Sequence, residues 1–152
     1  MNPNHDTDWM LIAEDQIDLW ILLRAHLQRV LPDVQLVHLI DAPTALSYLQ
    51  CCLIERQPLP RLILSNLYMP HLEDGLGLLT SLKEPSSSFR HLPVVMVSSS
   101  TYIQDRQEVN RRGSSYLSKP ASYEEWSEFL RTLSQYWQDS LPPGKDKYKE
   151  PE

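Results

Sequence analysis

The residues best suited to chemistry lie where short apolar runs stop. Residues 61–75 read RLILSNLYMPHLEDG: an apolar run ends abruptly at Ser65-Asn66, and a Met-Pro turn and an Asp-Gly turn follow. Three other runs end in a similar way, the first at Glu14-Asp15, another at Ser98, and the last leading into Lys119. A buried parallel strand delivers functional groups to the carboxyl edge of its sheet in this manner. Two acids, an amide, a hydroxyl and an ammonium form a coherent set for binding Mg²⁺ and a phosphoryl group. Carboxylates and a backbone carbonyl suit a hard cation, while lysine and a hydroxyl suit phosphoryl oxygens. Each residue also has a plainer reading. The acid pair can be a solvated loop, Ser98 a strand end that caps the next turn, and Lys119 a surface charge. Their joint placement at strand ends is what favours a site.

The elements that must position these groups follow from periodicity. Residues 9–13, 34–39, 61–64, 93–97 and 115–117 read as strands. Residues 16–31 carry apolar side chains at helical spacing (Trp20, Leu23, Leu27 and Leu31), and Pro32-Asp33 ends that helix. Asp41 caps a second helix with Pro43 in its first turn. A third runs over residues 75–84, a polar fourth over 104–112 closed by Gly113, and a fifth from Ser122 to about Trp137. Ser122 and Glu125 have the spacing of a capping box. Trp126, Leu130, Leu133 and Trp137 form the inward stripe of the last helix. Phe129 and Tyr136 fall outside it and suggest a dimer or partner surface. Strands alternating with helices across short loops demand a parallel sheet covered on both faces, a doubly wound α/β fold. Residues 1–8 read as a disordered leader, 9–138 as one domain and 139–152 as a flexible tail.

Composition narrows the function classes. The formal net charge of −6 over 152 residues argues against a general binder of nucleic acid or anionic membrane. No apolar run approaches the ~20 residues that span a bilayer, and the N-terminus has neither the basic nor the apolar region of a signal peptide. The only cysteines, Cys51 and Cys52, are neighbours, which fits a reducing cytoplasm and a place at a helix core or boundary. The five histidines show no metal-ligand spacing, although His71 follows Asn66 closely enough to line a pocket. With four glycines and no Gly-rich loop after the first strand, nucleotide binding is disfavoured.

Taken together, the acid pair, N-L-Y-M-P after the third strand, D-G at the third helix, P-V-V-M-V-S at the fourth strand and Y-L-S-K-P at the fifth are recognisable. In this order and close to family spacing, they make residues 9–137 resemble the receiver domain of two-component response regulators. The last helix, W-x-x-F-L-x-x-L-x-x-Y-W, is most similar to stand-alone regulators that pair with phytochrome-type histidine kinases. The resemblance implies a flavodoxin-like sheet of five strands in the order 2-1-3-4-5, with five helices. It implies that residue 66 occupies the position where a kinase histidine delivers its phosphoryl group to an aspartate. Glu14, Asp15 and the Tyr68 backbone carbonyl then fall at Mg²⁺-binding positions, Ser98 and Lys119 at the phosphate pocket, and Ser98 and Tyr116 at the switch. It further implies a cis Lys119-Pro120 peptide, and a histidine kinase or downstream signalling protein as partner.

The departure from the family falls at the acceptor. An amide is not a competent nucleophile, because its nitrogen lone pair is delocalised and its oxygen is neutral. Asn66 also removes a negative charge from the cation site, which weakens Mg²⁺ and leaves Lys119 to pair with Glu14 or Asp15. The Met-Pro to Asp-Gly spacing is one residue longer than usual, which alters the rim. The chain therefore reads as a single-domain receiver that acts by protein contact, as a homodimer, without phosphotransfer at residue 66. The alternative is an engineered Asp-to-Asn form of an ordinary regulator that catalyses its own phosphorylation and dephosphorylation.

Overall fold

The computed structural model describes residues 8–140. Of the leader expected over residues 1–8 and the tail expected over 139–152, only Asp8, Asp139 and Ser140 are among the described residues, and these are ordered parts of the domain: Asp8 and Ser140 bond to Arg61, and Asp139 closes the last helix. Five strands alternate with five helices: β1 (Trp9–Ala13), α1 (Ile17–Val30), β2 (Gln35–Leu39), α2 (Ala42–Ile54), β3 (Leu62–Asn66), α3 (Leu72–Lys83), β4 (Val94–Ser98), α4 (Ile103–Arg111), β5 (Ser115–Ser118) and α5 (Tyr123–Asp139). The strands form one parallel sheet in the order β2-β1-β3-β4-β5. The order reverses between β1 and β3, which opens a crevice at their carboxyl ends.

Alternation along the strands divides the core. Leu11, Ile63 and Met96 point to the face covered by α2, α3 and α4, where Leu49, Leu79 and Val109 meet them. Met10, Ile12, Leu64 and Val95 point to the opposite face, under Leu23 and Leu27 of α1 and Leu130 and Leu133 of α5. β1, β3 and β4 are buried along their whole length, as expected of central strands covered on both sides.

Local signals set most boundaries. The Asp41 carboxylate accepts from Thr44 N at 2.8 Å and starts α2. Ser122 Oγ accepts from Glu125 N at 3.2 Å, but Glu125 Oε1 returns to Ala121 N rather than to Ser122 N. The expected box is thus completed one residue earlier. Gly113, at φ +95°, takes the left-handed turn after α4. Helix α3 begins at Leu72, three residues before the expected start at Gly75. It takes up much of the long loop, and Gly75 lies inside it for a packing reason: a Cβ there would lie 2.0 Å from Leu67 O.

Phe129 is not on a surface. It is buried in the α1–α5 face of the core and meets Trp126 edge-on at 5.7 Å. Lying three residues after Trp126 and four before Leu133, it widens the inward stripe instead of forming a second face. Tyr136 is half-buried against the same cluster. Of the two cysteines, Cys52 is buried and Cys51 is exposed, both as free thiols. Arg61 joins the ends of the described chain: it donates to Asp8 Oδ2 at 2.7 Å, Trp137 O at 2.7 Å and Ser140 Oγ at 3.0 Å, with its guanidinium 3.8 Å from the Trp137 ring centroid. Among the described residues, no helix is long and apolar enough to cross a membrane.

Candidate functional site

Sheet register brings the polar strand ends together. Ala13 pairs with Ser65, so Glu14 follows on β1 just where Asn66 follows on β3. Asn66 pairs with Val97, and Ser98 pairs with Ser118, which places Ser98 and Lys119 one step further along the same edge. Lys119 N then donates to Ser98 O at 2.9 Å, fixing the start of the β5–α5 loop beside β4. Glu14, Asn66 and Ser98 are 6%, 5% and 3% exposed, so most of this polar set has left water.

Asn66 is the centre of the set. Its Nδ2 donates to Glu14 Oε2 at 2.7 Å and to Asp15 Oδ1 at 3.0 Å. Only the nitrogen end of the amide can satisfy two carboxylates at once, which fixes the orientation of the group. Glu14 Oε2 also accepts from Gln16 N at 3.0 Å, while Lys119 Nζ stands 3.8 Å from Glu14 Oε1. Burial pushes the Glu14 pKa up, and the neighbouring Asp15 adds to the rise; the Gln16 N–H and the Lys119 charge oppose it. His38 supports the acid loop from the edge strand. Its Nε2 donates to the Glu14 backbone oxygen at 2.8 Å, and its ring stacks on Trp20 with centroids 4.5 Å apart. Nothing in the sequence marks this contact, because His38 belongs to a strand whose neighbour is set by the sheet order.

The residues present fit a tightly bound divalent cation poorly. A hard cation needs several oxygen ligands converging on it, but here an N–H donor faces both carboxylates. No group of three or more acidic, His or Cys side chains among the described residues has metal-holding geometry. The acid pair is satisfied by an amide and a lysine instead.

The remaining expected residues divide. Ser98, Lys119, Asn66 and Tyr68 line one open cleft, together with Ser99–Ser100 and Thr101–Tyr102. Ser98 Oγ also accepts from Ser100 N at 2.9 Å, so it turns the loop as well as facing the cleft. Tyr116 is buried, with its hydroxyl donating to Ser100 O at 3.3 Å and the Arg106 guanidinium 4.6 Å from its ring centroid. His71 is exposed and precedes α3; its N–H donates to Asp74 Oδ2 at 2.9 Å, and it does not line the cleft. Among the described residues the cis peptide falls at Met69-Pro70, and Lys119-Pro120, where one is expected, is not cis. An X-Pro bond accepts either isomer at small cost, so packing around each proline, not the dipeptide, selects it. Sequence reasoning also missed Asp105, a buried acid in a helix that reads as polar and solvated.

No family model matches the chain. It is similar to the probable methanogenesis regulatory protein FilR2 of Methanothrix harundinacea (strain 6Ac), at 30% identity over 129 residues, covering 84% of this chain and 81% of that protein. Among solved structures it resembles response regulator RPA3017 in red light signaling of R. palustris, with a TM-score of 0.75, 26% identity, and coverage of 89% of this chain and 96% of that one. It also resembles the Mn(2+)-bound form of response regulator Rcp1, with a TM-score of 0.74, 25% identity, and coverage of 89% and 97%. The bacteriophytochrome response regulator AtBRR matches with a TM-score of 0.66 and 26% identity, over 85% of this chain and 94% of that one. These likenesses span nearly the whole described domain. The chain belongs to the receiver-domain family of response regulators, the signalling modules of two-component systems.

Proposed function

We propose that this receiver signals through protein contact and does not accept a phosphoryl group at residue 66. The observation that carries this reading is the Asn66 amide bridging Glu14 and Asp15 at 2.7 and 3.0 Å. At the position proposed for the acceptor, the side chain is a neutral donor directed at the acid pair, without a nucleophilic oxygen. Ser98 and Lys119 serve as the retained phosphate pocket, and Ser98 with Tyr116 as the retained switch pair. Mg²⁺ binds weakly through Glu14, Asp15 and the Tyr68 carbonyl, because the Asn66 donor must first be displaced. Partners are a histidine kinase or a downstream signalling protein in the cytoplasm. The exposed Ile17, Ile21 and Leu22 on α1, just behind the acid pair, support a protein partner. A second copy of the chain is the other proposed partner, with sedimentation as its measurement.

The test is incubation of the chain and its Asn66→Asp variant with acetyl phosphate and Mg²⁺, followed by intact-mass measurement. The expected result is an adduct on the variant and none on the chain itself. An adduct on the unaltered chain that disappears when Asn66 is replaced by Ala would overturn the reading. A phosphorylatable Asn66→Asp form also bears on the rival reading, an ordinary regulator carrying an Asp-to-Asn change, since it requires the rest of the site to be competent.

A further inference from the structure

Helix α4 is held to the domain by little apolar surface. Its buried residues are Val109, toward its C-terminal end, and Asp105, in its first turn. Asp105 is 6% exposed, and none of the ion pairs among the described residues involves it. Its charge is instead met by hydroxyls. Tyr68 donates to Asp105 Oδ2 at 2.6 Å, and Ser100 Oγ donates to the same oxygen at 2.6 Å. The bond to Asp105 raises the Tyr68 pKa, as expected of a phenol that serves as donor.

Ser100 extends the cluster with every polar atom it has. Its N–H donates to Ser98 Oγ at 2.9 Å, its Oγ accepts from Tyr102 N at 3.1 Å, and its carbonyl accepts from the Tyr116 hydroxyl at 3.3 Å. Tyr68 follows Asn66 by two residues, Ser100 follows Ser98 by two, and both line the open cleft. One buried carboxylate thus ties the β3–α3 loop, the β4–α4 loop and the first turn of α4 together.

From these contacts we infer that Asp105 is a latch coupling the Asn66 cleft to α4. While Tyr68 and Ser100 both donate to it, the first turn of α4 is pinned and Tyr116 stays inward. A ligand or partner that takes either hydroxyl leaves a buried carboxylate short of a donor, a costly state that is relieved by moving α4 outward. The N-terminal half of α4 has no buried apolar side chain to resist this movement. The inference does not depend on the role proposed for Asn66.

The test is native-state hydrogen exchange on the full chain, its Tyr68→Phe variant and its Ser100→Ala variant. Tyr68→Phe keeps the ring and removes only the hydroxyl, so folding is preserved. The expected result is exchange about tenfold faster over residues 101–106 in each variant, with β1 and β3 unchanged. Unchanged exchange over α4 in both variants overturns the latch, and so does an equal acceleration throughout the domain.

Discussion

The Asn66 amide nitrogen lies 2.7 Å from Glu14 Oε2, and this contact joins the ends of the two strands that flank the reversal in sheet order. The same neutral donor also reaches Asp15 Oδ1 at 3.0 Å, so one amide bonds to both acids. The acid loop of this receiver is therefore held by side chains of the chain itself.

Replacing that donor with an acid should reverse the balance. Asn66→Asp places a third carboxylate against Glu14 and Asp15, with Lys119 3.8 Å from Glu14 as the nearby positive charge. Stability without metal should fall by about 1–3 kcal/mol. Millimolar Mg²⁺ should recover most of the loss in the variant and raise the melting temperature of the unaltered chain much less. Thermal melts of both proteins with and without Mg²⁺ measure this.

Glu14 should also leave a mark on the pH dependence of stability. Its folded pKa is raised, chiefly by burial, so between the unfolded value of 4.5 and the folded value the native state holds the proton that the unfolded state has released. The stability Glu14 contributes is therefore fully present below that unfolded value and is lost as pH rises through the folded pKa. Urea unfolding of the chain and of Glu14→Gln from pH 4 to pH 7.5 should show the difference. The chain should lose stability relative to the variant as pH rises, and parallel curves would count against the shift.

Two glycines of α3 should respond in opposite directions to the same change. Gly75→Ala drives a methyl into Leu67 O, 2.0 Å from the ideal Cβ position, next to the residue that follows Asn66. It should cost about 2–3 kcal/mol and disturb the loop that carries Tyr68. Gly77 has nothing within 4 Å of its Cβ position. Gly77→Ala should stabilise by about 0.5–1 kcal/mol through helix propensity alone. Denaturant midpoints of the two variants test the pair.

Phe129 should behave as core. Phe129→Ala removes a ring packed among Trp126, Leu130 and the sheet and should cost about 3–5 kcal/mol. Tyr136→Ala, at a half-buried position, should cost distinctly less. A Phe129→Ala protein with unchanged stability and altered sedimentation would restore the surface reading.

The sequence by itself determined the alternating elements, the doubly wound fold and four of the places where chemistry collects. Periodicity, caps and the polar ends of apolar runs are properties of neighbours along the chain, so Glu14, Asp15, Asn66, Ser98 and Lys119 were legible as strand-end groups. Only the tertiary structure decided what each of them touches. The Asn66–Glu14 bond spans 52 residues and the Tyr68–Asp105 bond spans 37, and no local pattern encodes such meetings. The same holds for the burial of Asp105 and Phe129 and for a cis bond at Pro70 rather than at Pro120. A residue's type limits which interactions it can make, but its partner is set by sheet order, register and the packing of helices over the sheet.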